Sequence, residues 1–290
     1  MKKTIATLFV VLFAIPLFAF TFEPFVETEQ GTIGILSHTY QNGKAPDGGT
    51  SDVFDFKNQG GQDLLYPFQR YAVGATINGA HRIWFTYQPL LLQTNVTFQE
   101  NVTVGKEEDT ADTELTFVAG TPMELTYSFP FYRVSYTYDV LRGRDDAVLG
   151  LGVVMQIRNA SIKFEALDGS GLYVSQNLGI VPALQLYSEY SFPFGLTLSA
   201  DVAGSYASSA LFNGADFDFE GSILDASLRA SYYIGDGFSL FGNARFFGGT
   251  SKGVSQYDDD ERWSVSSYEF TENNISSLTA SVGVKWEQQK

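Results

Sequence analysis

Cysteine is absent from the 290 residues, which excludes disulfides, a lipid-modified cysteine and all thiol chemistry. Histidine occurs only at His38 and His81, so little is available for acid–base or metal work. Basic residues are scarce: 18 Lys and Arg stand against 33 Asp and Glu, a formal charge of −15. Phosphate binding needs a basic surface, so nucleic acid is excluded as a partner. Long apolar runs are missing beyond the first twenty or so residues, and the mean hydropathy is −0.05. A helical membrane protein is therefore excluded.

What the chain has is glycine (28), phenylalanine (25) and tyrosine (16), together with an apolar start. Lys2 and Lys3 precede the segment TIATLFVVLFAIPLFAF, which ends at Phe20. Two positive charges before a short apolar core read as a secretory signal peptide, 1–19, cut after Ala19. Residues 20–290 then form one mature domain, whose charge without Lys2 and Lys3 is −17.

Period-two alternation runs through that domain. Leu278, Ala280, Val282, Val284 and Trp286 alternate with Ser277, Thr279, Ser281, Gly283 and Lys285. Leu224, Ala226, Leu228, Ala230 and Tyr232 alternate in the same way with Asp225, Ser227, Arg229 and Ser231. Successive side chains of a strand point to opposite faces, so these segments are strands with one apolar face. Further strands are expected at 30–40, 69–78, 82–98, 113–128, 131–141, 147–158, 160–167, 178–190, 195–207 and 238–247. Pro89 within 82–98 cannot donate to a ladder and marks a bulge or break.

The connections carry a second pattern. Short turns are expected at Asn78-Gly79, Phe129-Pro130, Asn159, Phe192-Pro193-Phe194-Gly195 and Gly235-Asp236-Gly237. Longer polar connections are expected at 41–68, 99–112, 142–146, 168–177, 208–220 and 248–274. The fold predicted is all-β: a transmembrane antiparallel up-and-down barrel of about twelve strands with both ends on the short-turn side.

Signal sequence, alternating strands and unequal turns together resemble the Gram-negative outer-membrane β-barrel class over the whole mature chain. The resemblance implies an outer-membrane location, contact with outer-membrane lipid and handling by the barrel-assembly machinery. Such barrels often end on an aromatic residue; here Trp286 is followed by Glu287-Gln288-Gln289-Lys290.

In such a barrel the apolar stripes face lipid, with Tyr132, Tyr136, Tyr138, Tyr190, Tyr232 and Trp286 as candidates for the interfacial girdles. The opposite face collects the candidate lumen charges Arg82, Arg133, Asp139, Arg158, Glu189, Asp201, Asp225, Arg229, Arg245 and Lys285, with Glu124, Lys163 and Glu165 beside them. These form either a self-satisfied polar plug or a wet conduit that selects solutes. A strand number between eight and sixteen allows both.

No catalytic or metal constellation assembles. The acidic clusters Glu107-Glu108-Asp109, Asp216/Asp218/Glu220 and Asp258-Asp259-Asp260-Glu261 lack calcium-loop spacing and read as solvated loops. Ser37 adjoins His38 but points to the opposite face, so it cannot serve as that histidine's nucleophile. His81 lies beside a turn and suits an interfacial anchor. The primary reading is a non-enzymatic narrow pore or small-solute conduit without cofactor. The alternatives are a surface-interaction barrel acting through its acidic loops and a lipid-modifying rim enzyme.

Overall fold

The computed structural model describes residues 21–42, 51–105, 115–209, 219–257 and 264–288, without the side chains of Arg158, Asn177, Leu178, Phe219 and residues 254–270. The expected signal peptide and the three expected acidic clusters, apart from Glu220, lie outside the described residues.

Among the described residues fifteen strands follow one another: β1 (Phe22–Asn42), β2 (Phe54–Asp55), β3 (Leu65–Ile77), β4 (His81–Gln88), β5 (Leu91–Thr97), β6 (Val102–Val104), β7 (Leu115–Phe117), β8 (Pro122–Ser128), β9 (Phe131–Asp139), β10 (Ala147–Ala166), β11 (Leu172–Ser191), β12 (Leu196–Ser208), β13 (Phe219–Gly235), β14 (Phe238–Tyr257) and β15 (Ser264–Glu287). Antiparallel pairing closes the ring β1-β3-β4-β9-β10-β11-β12-β13-β14-β15 back onto β1. The barrel thus has ten staves rather than twelve.

The two surplus strands came from misread turns. Gln88 faces Phe131 and Leu91 faces Ser128, so β5 and β8 continue the β4–β9 register without a slip. Likewise Arg158 of β10 faces Phe131 while Ser161 faces Ser128. Phe129-Pro130 and Asn159 are therefore points within continuous staves. The registers on either side put Pro89 opposite Pro130, and Pro130 opposite Asn159. Two residues without a backbone N–H face one another there, which interrupts the ladder locally without turning the chain.

The other expected short turns lie at one end, with both described termini, while the 168–177 connection, expected to be long, is a turn over 167–171 at the opposite end. Asn78 and Gly79 both take positive φ (52° and 65°), as do Asp236 and Gly237 (51° and 80°). Positive φ at both central residues matches the twist of the flanking strands, and Asn-Gly and Asp-Gly adopt it readily; Asp236-Gly237 alone fills its connection, whereas Ala80 follows Asn78-Gly79 before Ile77 meets His81. The 142–146 connection, expected among the long ones, also lies at this end, because it joins β9 to β10. The 248–274 connection is mostly strand, since β14 extends to Tyr257 and β15 begins at Ser264.

Parity never breaks along β10, yet chemistry inverts along it. Outward residues run Leu151, Val153, Met155, Ile157 and then Asn159, Ser161, Lys163, Glu165. Inward residues run Gly150, Gly152, Val154, Gln156 and then Ala160, Ile162, Phe164, Ala166. The β8/β9 stave inverts at Pro130: Tyr132, Val134 and Tyr136 face out below it, and Ser128, Thr126 and Glu124 above. Its interior changes from Thr137, Ser135 and Arg133 to Phe129, Tyr127 and Leu125. An apolar exterior over a polar interior suits hydrocarbon, and a polar exterior over an apolar core suits water. The chain is thus a membrane-spanning β-barrel whose staves rise beyond the lipid belt into an aqueous outer half.

Tyrosines mark the edge of the belt. Tyr71 faces Tyr87 and Tyr87 faces Tyr132 in the ladder, with ring centroids 6.4 Å and 5.2 Å apart. At the other end His81 Nδ1 lies 2.8 Å from the Tyr136 hydroxyl, and Tyr190 and Tyr232 are exposed.

The belt edge predicts unequal effects from one substitution on one face of one strand. Met155→Arg places a charge in the middle of the belt, opposite Val134, and costs about 2–4 kcal/mol, with impaired insertion. Ser161→Arg stands above the belt and costs little. Urea unfolding in vesicles measures both, and equal effects would contradict the placement.

Candidate functional site

The inward positions of the membrane half converge on one charged layer. Asp225 of β13 is its centre. Arg245 Nε donates to Asp225 Oδ1 at 2.6 Å, and Arg133 Nη2 lies 2.6 Å from Asp225 Oδ2. Arg245 also donates to the Gln88 side-chain carbonyl at 2.6 Å, and Arg133 to that of Gln156 at 2.7 Å. These contacts span the lumen, joining β9 and β10 to β13 and β14, and β14 to β4.

A second group leans on β1. Arg229 donates to both carboxylate oxygens of Glu27, at 2.8 and 3.1 Å. Arg70 lies 3.7 Å from Glu27 and 3.8 Å from Glu29, and the Asn243 amide reaches Glu29 at 3.2 Å. Arg70, Arg133, Asp225, Arg245, Glu27 and Glu29 are all buried. Buried charges persist when paired, and each of these has an opposite charge beside it, although the buried Nε of Arg70 makes no hydrogen bond.

The remaining candidates lie off this layer. Arg82 sits among rings, its guanidinium carbon 4.6 Å from the centroids of Phe25 and Tyr187. Glu189 accepts from the Tyr187 hydroxyl, and Asp201 accepts from the Gln185 amide at 2.7 Å. Lys285 donates to Glu287 at 2.6 Å and faces Phe25. Asp139 accepts backbone N–H groups of Leu141 and Leu149 at 3.0 and 2.9 Å, fastening the turn rather than joining the layer. In that turn Arg144 hydrogen-bonds Asp146 and holds its exposed carboxyl below the usual range. The Arg158 side chain lies outside the described residues.

Glu124, Lys163 and Glu165 correct the expectation. They lie on the outer surface, where Lys163 Nζ contacts Glu124 and Glu165 at 2.6 Å each. Dividing the stave at Asn159 made their face the polar interior. Undivided parity puts Ile162 and Phe164 inside instead.

Above the charged layer the lumen is filled by an apolar cluster that sequence reasoning missed. Phe54 of β2 packs its ring 4.9 Å from Phe56, 5.5 Å from Phe98 and 5.0 Å from Phe164. Phe54 and Phe56 belong to a connection that looked polar and solvated; the alternation in Val53-Phe54-Asp55-Phe56-Lys57 was the available signal. His38 is buried here, with Nδ1 2.7 Å from the Gln62 side-chain oxygen and its ring stacked 4.5 Å from Phe56. Ser37 points out, its hydroxyl 2.9 Å from that of Ser276. Among the described residues no group of three or more His, Asp or Glu side chains is placed to hold a metal.

No protein-family model matches the sequence, and no curated protein matches it. Among solved structures the chain is similar to the outer-membrane protease OmpT of Escherichia coli, at 9% identity and a TM-score of 0.48, covering 92% of this chain and 98% of that one. It is similar to a FadL homologue of Pseudomonas aeruginosa at 11% identity and TM-score 0.36, covering 91% and 90%. It is similar to Ail, the attachment invasion locus protein of Yersinia pestis, at 8% identity and TM-score 0.31, covering 91% and 99%. All three scores lie below 0.5, so none bears on what this chain does.

The layer predicts a large penalty at its centre. Asp225→Asn leaves Arg133 and Arg245 buried without their shared carboxylate, and breaking such a contact costs about 3–5 kcal/mol. Asp201→Asn, where the carboxylate accepts from the neutral Gln185 amide, costs far less. Heat-modifiable gel mobility reads both, and a barrel indifferent to Asp225→Asn would contradict the buried pairing.

Proposed function

We propose that this chain is an outer-membrane barrel shut along its axis, acting through its outer half as a surface barrel rather than as an open small-solute pore. The observation that carries this reading is the stacking of two filled layers on one axis. A solute crossing the membrane half meets Asp225 held between Arg133 and Arg245. In the outer half it meets the buried rings of Phe54, Phe56 and Phe164. A conduit would require both layers to part.

The partners that fit are outer-membrane lipid along the apolar belt, the assembly machinery that inserts such barrels, and an outside partner met by the outer half. The reading is non-catalytic. It is supported by His38, which engages the Gln62 amide inside an aromatic cluster, with Ser37 on the opposite face.

Planar-bilayer recording of the purified chain tests it. The expected outcome is insertion, confirmed by heat-modifiable mobility, without stepwise conductance. Regular conductance steps from the intact chain would return the conduit to first place.

A further inference from the structure

The ladder between β11 and β12 stops short. It runs from Ser191 opposite Thr197 to Leu184 opposite Gly204 and pairs nothing beyond. Both strands nevertheless continue outward, β11 along β10 as far as Leu172 and β12 along β13 as far as Ser208. Continued in the same register, Pro182 would stand opposite Tyr206. Proline has no N–H to offer, so the sequence itself breaks the ladder at this point.

The height of the break matters. Ile180 faces Ile157 across the β10–β11 ladder, and Ile157 is the last apolar outward residue of β10 before Asn159. Leu184, the last residue paired to β12, faces Val153, so the wall parts within the outer part of the lipid belt, between the levels of Val153 and Ile157. Ile180 and Leu184 on the lipid side of the break are 67% and 74% exposed, among the highest values for large apolar residues.

Behind the parted strands lies a cavity of about 290 Å³. Val181 and Ala207 flank its mouth, and Phe129, Ile223, Phe247 and Ile275 form its inner wall. Polar groups gather on its outer rim, where Lys252 Nζ lies 2.8 Å from Glu220 and the hydroxyls of Ser222 and Thr250 are 2.8 Å apart. The volume lies near the small end of ligand pockets, which start at roughly 300 Å³.

We propose that this cavity binds a single-chain amphiphile that reaches it from the membrane between β11 and β12. Its alkyl chain lies against Phe129, Ile223 and Phe247, and its small polar head rests beside the Lys252–Glu220 pair. The chain chemistry follows from continuity with the lipid belt, and the head chemistry from the polar rim. The proposal rests on the membrane placement of the barrel but not on whether its axis conducts, so bilayer recording and the following experiment fail independently.

The test uses the full barrel in phosphatidylcholine nanodiscs, with Trp84, Trp263 and Trp286 replaced by phenylalanine. Phe247→Trp supplies a reporter in the cavity, and Leu228→Trp one on the lipid face. The probe is 10-bromodecan-1-ol, whose bromine quenches indole fluorescence on contact. Saturable quenching of the Phe247→Trp reporter by half or more is expected, falling severalfold when Ala207→Phe fills the mouth. The Leu228→Trp reporter should quench without saturating, in both backgrounds. Ile275→Trp replaces the reporter if Phe247→Trp does not fold. A cavity reporter that is unquenched, quenched without saturation, or indifferent to Ala207→Phe overturns the proposal.

Discussion

Inside hydrocarbon a backbone N–H or C=O has no water to turn to, and each one left unpaired costs several kcal/mol. Every other feature of this barrel is arranged around that constraint. The ring closes where β1 meets β15, with Val26 opposite Trp286 and the pairing carried outward to Asn42 opposite Thr271. Up to the last β11–β12 pair, Leu184 with Gly204, no open edge remains in the lipid belt. The ladder is interrupted at the outer rim of that belt where Pro89 meets Pro130, and within the outer part of the belt beyond Leu184 with Gly204. There water, or a bound amphiphile, can answer the unpaired groups.

The same constraint shapes the interior. Outward positions in the belt must be apolar, which leaves the polar residues of each strand facing the lumen. The lumen then has to satisfy them. Asp225, Glu27 and Glu29 pair with Arg133, Arg245, Arg70 and Arg229, and Gln88, Gln156 and Asn243 each add a hydrogen bond to one of these charges. Such a layer adds little to stability over an apolar filling, because desolvation offsets most of the attraction. What it supplies is register: Arg245 reaches both Asp225 and Gln88 only if β4, β13 and β14 hold their relative heights. Beyond the belt the requirement reverses, since staves standing in water need an apolar core. Phe54, Phe56, Phe98, Phe164 and their neighbours provide it.

The alternation in β13, β14 and β15 was readable because these strands keep an apolar outer face through the belt. The all-β fold, the true hairpins at Asn78-Gly79 and Asp236-Gly237, and the shared end for termini and turns were legible for the same reason. Strand number was not, because Pro130 and Asn159 carry the local signature of a turn. Their role depends on a neighbouring stave that sequence spacing does not reveal. Lys163 and Glu165 were assigned inward because a polar face was equated with the lumen. That equation holds only within lipid, and the sequence does not mark where lipid ends. Nor does it show that a connection containing Phe54 and Phe56 folds back to cap the lumen.

The central claim is that one unbroken strand crosses the membrane surface between Ile157 and Asn159. Since the chain contains no cysteine, single cysteines can be placed at Leu151, Val153, Met155, Ile157, Asn159, Ser161, Lys163 and Glu165 and spin-labelled. Collision rates with oxygen and with a nickel chelate, measured in vesicles, report lipid and water respectively. The account predicts oxygen-dominated values through Ile157 and chelate-dominated values from Asn159 onward. A profile without that crossover, or one that crosses and then returns as a turn at Asn159 would require, contradicts it.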